Sequence, residues 1–250
     1  MRSCFSRTFL AWRMMAAVCL LCCGGSAGAQ ENTVPPPKWL DEVAALYGKG
    51  AFKEALKRLD EVPEEERKTY LYPNLKGSML VALRRFPEAR LLFKQSLELS
   101  AGVVENAYHP KFNLAEINLV EKKWAEAEAG FKELLREPWR SHKTPGQPSP
   151  LPLVYFKVGL CQITTKRNAQ AAATYKELKG LADDQAAGAS EAMLVALDFQ
   201  QKSRPLAMKR LAALRKDRPK KEITLYEDSF VEMGWLKRIG EAEKPAARPK

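Results

Sequence analysis

The side chains that most often carry enzyme chemistry are few and scattered in this 250-residue chain. The two histidines, His109 and His142, lie far apart, and neither stands in a metal-binding spacing such as H-E-x-x-H. The acidic residues 64–66 are adjacent in sequence, so they diverge around a helix and indicate a solvated helix start rather than an acid–base pair. Residues 30–250 contain no G-x-S-x-G, C-x-x-C or Gly-rich phosphate loop. We therefore expect no catalytic residues, no cofactor and no metal, although a lone catalytic residue leaves no such pattern.

The first 29 residues have the layout of a secretory signal peptide. Three arginines and no acidic residue are followed by the short apolar run 14–23, and an A-G-A sequence ends at Ala29. This pattern predicts cleavage after Ala29, a mature chain starting at Gln30, and export to a bacterial-type periplasm, the cell envelope or the medium. Two alternatives stay open. One is an uncleaved anchor helix, although a span needs roughly 20 apolar residues; the other is lipid modification of Cys23.

Removal of the signal peptide leaves Cys161 as the only cysteine. A chain with one cysteine forms no internal disulfide, although an exported compartment permits disulfides. The fold must then depend on burial of apolar surface, and 221 residues suffice for that. Because Cys161 lies in the apolar run V-G-L-C-Q-I, we expect a small buried side chain rather than a reactive thiol. The mature chain carries no transmembrane segment by this interpretation.

Positive charge is concentrated near the C-terminal end. The chain has a formal net charge of +11, and residues 202–221 hold nine basic residues and one acidic residue. The basic patch expected here consists of Lys209, Arg210, Arg215, Lys216, Arg218, Lys220 and Lys221. It is either a solvated helix face or a site for an anionic envelope surface, such as lipid headgroups or an acidic polymer. Export argues against nucleic acid as its target.

A short phrase recurs along the chain with a fixed internal spacing. An aromatic residue, two variable residues and an alanine are followed four positions later by a large apolar residue, as in Phe86, Ala89 and Phe93. The corresponding alanines are Ala55, Ala89, Ala127, Ala171 and Ala207, with spacings of 34, 38, 44 and 36 residues. Self-similarity at such a period is typical of repeat proteins, in which stacked helix pairs share one core.

The recurring pattern resembles the tetratricopeptide repeat, a 34-residue unit with the motif W-x₂-L-G-x₂-Y…A-x₃-F…P. Trp39 and Tyr155 occupy the opening aromatic place, and Gly77 and Gly159 occupy that of the small residue in the first helix. The closing proline matches only at Pro219. The resemblance covers about residues 38–219 and is weaker in the fourth and fifth units, where Asn168 and Arg204 replace the aromatic. The alternative is an irregular helical bundle.

The resemblance implies an all-α protein, a right-handed solenoid of about five antiparallel helix pairs. Five prolines and a glycine predict a long loop at 137–152. Residues 220–239 place Ile223, Tyr226, Phe230, Met233 and Leu236 on one helical face, which predicts a capping helix. We assign the segments as follows: 1–29 signal peptide, 30–37 Pro-rich spacer, 38–219 repeat domain, 220–239 capping helix, 240–250 disordered tail.

In this family the first helix of each pair lines a concave groove that receives a peptide or a partner helix. Reading that face by offset from the repeated alanines gives the expected partner-binding residues Asn74, Ser78, Phe112, Asn113, Glu116, Phe156, Lys157 and Leu160, continued by Ala192, Ala196 and Phe199. Phe112 and Phe156 occupy equivalent places and are expected to stand side by side on that face. The alternative is that both rings belong to the core between neighbouring pairs.

Three functions from different classes remain compatible with the sequence. The first is a non-catalytic protein–protein interaction scaffold whose groove binds an unidentified protein or peptide. The second is a protein that associates with an anionic surface through the basic patch. The third is an enzyme with an unmarked site. Salt separates the first two, because a charge-driven contact weakens steeply with ionic strength and an apolar groove does not.

Overall fold

The computed structural model describes residues 37–141 and 149–237, and within them the secondary structure is helical without strands. The predicted signal peptide, most of the spacer, His142 and the predicted tail lie outside these residues. The α-helices of the described part are α1 (Lys38–Gly48), α2 (Phe52–Asp60), α3 (Leu71–Ala82), α4 (Phe86–Leu99), α5 (Val104–Val120), α6 (Trp124–Glu133), α7 (Leu151–Thr164), α8 (Asn168–Lys179), α9 (Asp184–Gln200), α10 (Arg204–Asp217) and α11 (Lys220–Glu232).

Consecutive helices pack against one another along the chain, with further contacts between α3 and α5 and between α7 and α9. Over the described residues this confirms the predicted all-helical class, and the packing of consecutive helices is consistent with a helical repeat. None of the helices within residues 37–141 and 149–237 combines the length and the apolar composition that a membrane span requires. The helices are stabilised mainly by burial of apolar residues from neighbouring helices, since a single short helix is marginal in water.

The repeated alanines lie where helices approach closely. Ala55, Ala89, Ala127 and Ala207 have no exposed surface, and Ala171 is 6% exposed. At the α3–α4 contact a Cβ on Gly77 would lie 2.8 Å from Cε1 of Phe93, so only glycine lets this ring pack there. Gly159 faces Met193 of α9 instead of the second helix of its own unit. Small residues thus serve both kinds of contact, between α3 and α4 and between α7 and α9.

Five turns between helices share one backbone geometry that the sequence pattern did not predict. The residue five positions before each repeated alanine has a positive φ: Gly50 (70°), Arg84 (58°), Lys122 (62°), Lys166 (60°) and Lys202 (62°). Its N–H bonds the carbonyl three residues back, and the next N–H bonds the carbonyl five residues back. This is the helix C-terminal motif in which a left-handed residue satisfies the last free carbonyls. Gly234, after α11, has the same conformation and the same pair of bonds.

Replacing Lys122 by glycine is expected to stabilise the protein by about 1 kcal/mol. A side chain in the left-handed conformation costs about 1–2 kcal/mol, and glycine offsets part of this gain by its greater freedom in the unfolded chain. Urea denaturation measures the change. Lys123→Gly, one residue on, is the matched control, because Lys123 has a φ of −83° and gains nothing from glycine. Equal effects of the two substitutions would contradict the strained turn.

Replacing Ala89 by leucine is expected to lower the free energy of unfolding by about 1–3 kcal/mol, because the added atoms overpack a full contact. Ala129→Leu on α6 is the control, since Ala129 is exposed and leucine is a good helix former. Thermal melts followed by circular dichroism compare the two variants. If Ala89→Leu had the same melting temperature as Ala129→Leu and the parent protein, the predicted repeat register would be wrong.

Two predicted boundaries differ from the structure. The helix predicted over 220–239 ends at Glu232, because the left-handed Gly234 terminates it. The predicted loop 137–152 contains a short 3₁₀ helix, Trp139–Ser141, and α7 already begins at Leu151. Pro152 fits there, because the first turn of a helix needs no proline N–H. Residues 142–148 of that loop lie outside the described residues.

Candidate functional site: a groove covered by helix α11

The eight residues expected to line an open groove are all buried in the structure. None exceeds 8% exposed surface: Asn74, Ser78, Phe112, Asn113, Glu116, Phe156, Lys157 and Leu160. In this conformation their side chains are covered by other parts of the same chain. The expected exposed pair of rings at Phe112 and Phe156 is therefore corrected to two buried rings, which is the core alternative that the sequence left open.

The two rings are covered by different elements. Phe112 of α5 packs edge-on against Phe131 of α6, with the ring centroids 5.3 Å apart. Phe131 belongs to the next helix in the chain, as expected of a contact within a helix pair. Phe156 of α7 instead packs against Tyr226 of α11 at 4.9 Å and against Phe230 of α11 at 6.1 Å. Helix α11 therefore covers the α7 end of the predicted groove.

Helix α9 extends the apolar surface beneath α11. Phe199 lies 5.8 Å from Phe230 and stacks on Trp235 at 5.9 Å, measured between ring centroids. Tyr226 and Phe230 are four residues apart, so they share one face of α11, and they are 3% and 0% exposed. The face of α11 that the sequence predicts to be apolar is thus the face that is buried, and it contacts aromatic rings of both α7 and α9.

A buried ion pair lies at the centre of this contact. Lys157 Nζ is 3.0 Å from Glu116 Oε1 of α5 and donates a hydrogen bond of 2.9 Å to Ser229 Oγ of α11. The lysine is 1% and the glutamate 3% exposed. Charges so deeply buried are tolerated when they are paired and hydrogen-bonded. Ser229 in turn donates to the Leu225 carbonyl within its own helix. Helices α5, α7 and α11 therefore meet through one polar network inside an apolar surface.

Smaller polar contacts surround the network on α3 and α5. The Asn113 side-chain amide donates to Asn74 Oδ1 at 3.4 Å, and Ser78 donates to the Asn74 carbonyl at 2.9 Å. These side chains are buried, with at most 8% of their surface exposed. The contact between Asn113 and Asn74 connects α5 with α3.

Both ends of α11 are tied to distant parts of the chain. Near its C-terminus, Glu232 pairs with Arg84 in the turn between α3 and α4 at 2.8 Å. Near its N-terminus, a Cβ on Gly188 of α9 would lie 2.0 Å from Glu222 Oε1, so the missing side chain lets α11 approach α9 closely. Helix α11 therefore does more than cap the last pair, because it lies across α7 and α9 and reaches the second unit.

Burial shifts the pKa values of two side chains of α11, Tyr226 and Glu222. Burial raises the pKa of Tyr226, and the nearby Glu222 carboxylate raises it further. Burial also raises the pKa of Glu222, while the hydrogen bond from Tyr226 works in the opposite direction. The tyrosine hydroxyl is therefore protonated at neutral pH and donates to Glu222 Oε1 at 3.2 Å.

The basic patch is partly neutralised by neighbouring acidic residues. Arg210 pairs with Asp198 at 2.8 Å, Arg215 with Glu227 at 2.6 Å and Arg218 with Asp184 at 2.7 Å. The remaining lysines of the patch, Lys209, Lys216, Lys220 and Lys221, are exposed. Three of the seven predicted cations thus have acidic partners from α9 or α11, which reduces the field that the patch presents to an anionic surface.

Cys161, Glu66 and His109, the side chains whose types could carry enzyme chemistry, make packing contacts or hydrogen bonds within the chain. Cys161 is buried, and burial raises the pKa of its thiol to about 12, so it stays protonated and unreactive. Glu66, in the acidic triplet, accepts a hydrogen bond from the Trp39 indole at 2.5 Å. His109 packs edge-on against Tyr108 at 5.7 Å. Among residues 37–141 and 149–237, no cluster of His, Cys, Asp and Glu side chains could hold a metal ion.

Comparison of the chain with protein-family models, with curated proteins and with solved structures gave no match.

Proposed function

We propose that this protein is a non-catalytic protein–protein interaction scaffold. In this proposal the helices form a right-handed solenoid of about five antiparallel pairs of the tetratricopeptide type, and the concave face of the first helices binds a helical segment of a partner protein. The observation that carries the proposal is the position of α11. An amphipathic helix is seated on the residues that the repeat pattern places on that face, with Tyr226 and Phe230 over Phe156.

The chemistry of the covered surface supports a helix as the ligand. Helix-in-groove recognition uses anchors at positions i, i+3 and i+4 of an amphipathic helix. Tyr226, Ser229 and Phe230 have this spacing and make the central contacts of α11. Aromatic anchors in a desolvated surface commonly carry much of the binding energy of an interface. The surface thus has the composition of a recognition site, and α11, which covers it, has the residue spacing of a helical ligand.

We further propose that the scaffold acts after export, with the signal peptide removed before Gln30. The support is the charged, apolar and small-residue order of residues 1–29. The intact mass of the protein isolated from the producing cell decides this point. A species that retains Arg13 would contradict cleavage, and an acyl group on Cys23 would replace it by lipid anchoring.

Affinity capture from native envelope extract, with the protein as bait, tests the scaffold against the surface-association alternative. We expect a defined protein partner that stays bound at about 1 M salt, where the Debye length is only about 3 Å. The matched control replaces the exposed Lys209, Lys216 and Lys220 by glutamate, which reverses charge without touching the groove. Capture that disappears in high salt, or in the charge-reversed variant, would contradict the scaffold and favour the basic patch.

A further inference from the structure

The contacts of α11 describe the ligand that the groove accepts. Its buried face contributes two aromatic rings four residues apart, Tyr226 and Phe230, with Ser229 between them. The rings contact Phe156 and Phe199, and the serine oxygen accepts from Lys157. Each of these contacts comes from one face of one helix. A separate helix with the same three side chains could therefore reproduce them.

The polar network of Lys157, Glu116 and Ser229 selects the register in which a helix binds to the surface beneath α11. Lys157 is already paired with the Glu116 carboxylate, and towards α11 it meets a small neutral acceptor, Ser229, rather than another acid. In α11 the residue after Ser229 is the apolar Phe230, and a helix shifted to place such a side chain against the ammonium group would take away the hydrogen bond that Ser229 accepts, which is costly for a buried donor. Buried polar groups of this kind fix alignment more than they add affinity. The hydroxyl at i+3 is thus a specificity element between two aromatic anchors.

Helix α11 is also a tethered ligand. Only Arg218 and Pro219 separate it from α10, so it competes for the groove at an effective concentration on the order of millimolar. A partner must therefore bind the groove more tightly than an untethered copy of α11 would. The tether therefore keeps the apolar surface covered in the free protein until a partner of sufficient affinity is present.

We infer that the partner presents an amphipathic helix with aromatic residues at i and i+4 and a serine or threonine at i+3, and that this helix displaces α11 from the groove. This inference rests on the proposed scaffold function. It makes α11 an internal substitute for the partner, which keeps the aromatic surface covered until a helix of the same pattern arrives.

A labelled peptide that copies residues 219–236 tests the exchange by fluorescence anisotropy. The full chain with Phe230→Ala keeps every groove residue and weakens only the tethered helix. We expect the peptide to bind this variant at least about tenfold more tightly than it binds the unaltered chain, since an aromatic anchor of the competitor is lost. Lys220→Ala, at the exposed start of α11, is the chain control and should bind like the unaltered protein. The same peptide with alanine at the positions of both Tyr226 and Phe230 should bind neither chain. Equal affinity for the two chains, or no binding to Phe230→Ala, would overturn the inference.

Hydrogen exchange of the unaltered chain gives a second measurement that needs no variant. We expect amides of α11 to exchange through openings that leave α7 and α9 protected, because the helix must leave the groove while the array stays folded. Exchange of α11 only together with α7 would mean that it is a permanent part of the core. A dimer that forms by mutual exchange of α11 would identify a second copy, not a partner, as the occupant and would likewise overturn the inference.

A photo-crosslink separates this inference from the proposed function. A benzoylphenylalanine in place of Glu232 is joined by light to the turn at Arg84, which holds α11 in the groove. We expect the crosslinked chain to lose the partner that the same chain captures before irradiation. Capture that survives crosslinking would overturn the exchange and leave the scaffold intact through another surface. Absence of any partner in both states would contradict the scaffold itself.

Discussion

Replacing Lys157 by methionine is expected to lower the free energy of unfolding by about 3–5 kcal/mol, because it leaves Glu116 as an unpaired buried charge. Glu116 is 3% exposed, and Lys157 is the cation it pairs with at 3.0 Å. Methionine has a similar length and keeps the apolar packing of the lysine stem. The loss therefore reports on the charge and not on a cavity. Urea denaturation followed by circular dichroism measures it.

The double variant Lys157→Met with Glu116→Leu is the matched control for this prediction. Removing both charges also removes the cost of burying them, and buried ion pairs replaced by apolar residues are often neutral or stabilising. We expect the double variant to recover most of the stability that the single variant loses. A single variant as stable as the parent would contradict the buried pair. A double variant as unstable as the single one would mean that the side-chain volumes, and not the charges, hold this position.

Phe112→Ala is expected to cost about 3–5 kcal/mol of stability, the usual loss for a buried phenylalanine. Phe112 is 4% exposed and packs on Phe131, so the truncation leaves a cavity between α5 and α6. Leu91→Ala is the control, because Leu91 is 68% exposed on α4 and its loss should change stability by less than about 0.5 kcal/mol. Thermal and urea unfolding of both variants compare them. If Phe112→Ala were as stable as the parent protein, Phe112 would be exposed on the groove and not buried between α5 and α6.

The repeat register could be read from the sequence because each unit solves the same local packing problem. A small residue is needed where two helices approach closely, and a large apolar residue must fill the space beside it. The spacing of Gly77, Ala89 and Phe93 therefore predicted a contact that the structure contains. The left-handed turns have no clear sequence signal, because four of the six carry lysine or arginine and only Gly50 and Gly234 have the usual glycine.

The position of α11 could not be read in the same way. Its apolar face was visible as a period of three and four residues, and the sequence indicated correctly that Ile223, Tyr226 and Phe230 are buried. Which surface they cover depends on how far the stacked helices curve, and that curvature is the sum of many small rotations between neighbours. The contact between Arg84 and Glu232 joins residues that no local pattern relates.

The buried ion pair illustrates the same limit at one residue. The offset from the repeated alanines placed both Lys157 and Glu116 on the groove face. It did not show that the two side chains meet, because that depends on the distance between α5 and α7. The sequence did not predict that Ser229 joins this network, because its helix was expected to cap the end of the helical array. Position along a face is a local property, whereas the depth of burial is set by the whole chain.

The coupling between Phe156 and Phe230 tests most directly whether α11 occupies the groove. A double-mutant cycle with Phe156→Leu and Phe230→Leu, followed by urea unfolding, isolates the interaction of the two rings from their separate burial. We expect a coupling energy of about 0.5–1.5 kcal/mol, the range for edge-on aromatic pairs. Effects that add to within about 0.3 kcal/mol would mean that the rings do not touch in solution. That result would contradict the seat of α11 on which the proposed function rests.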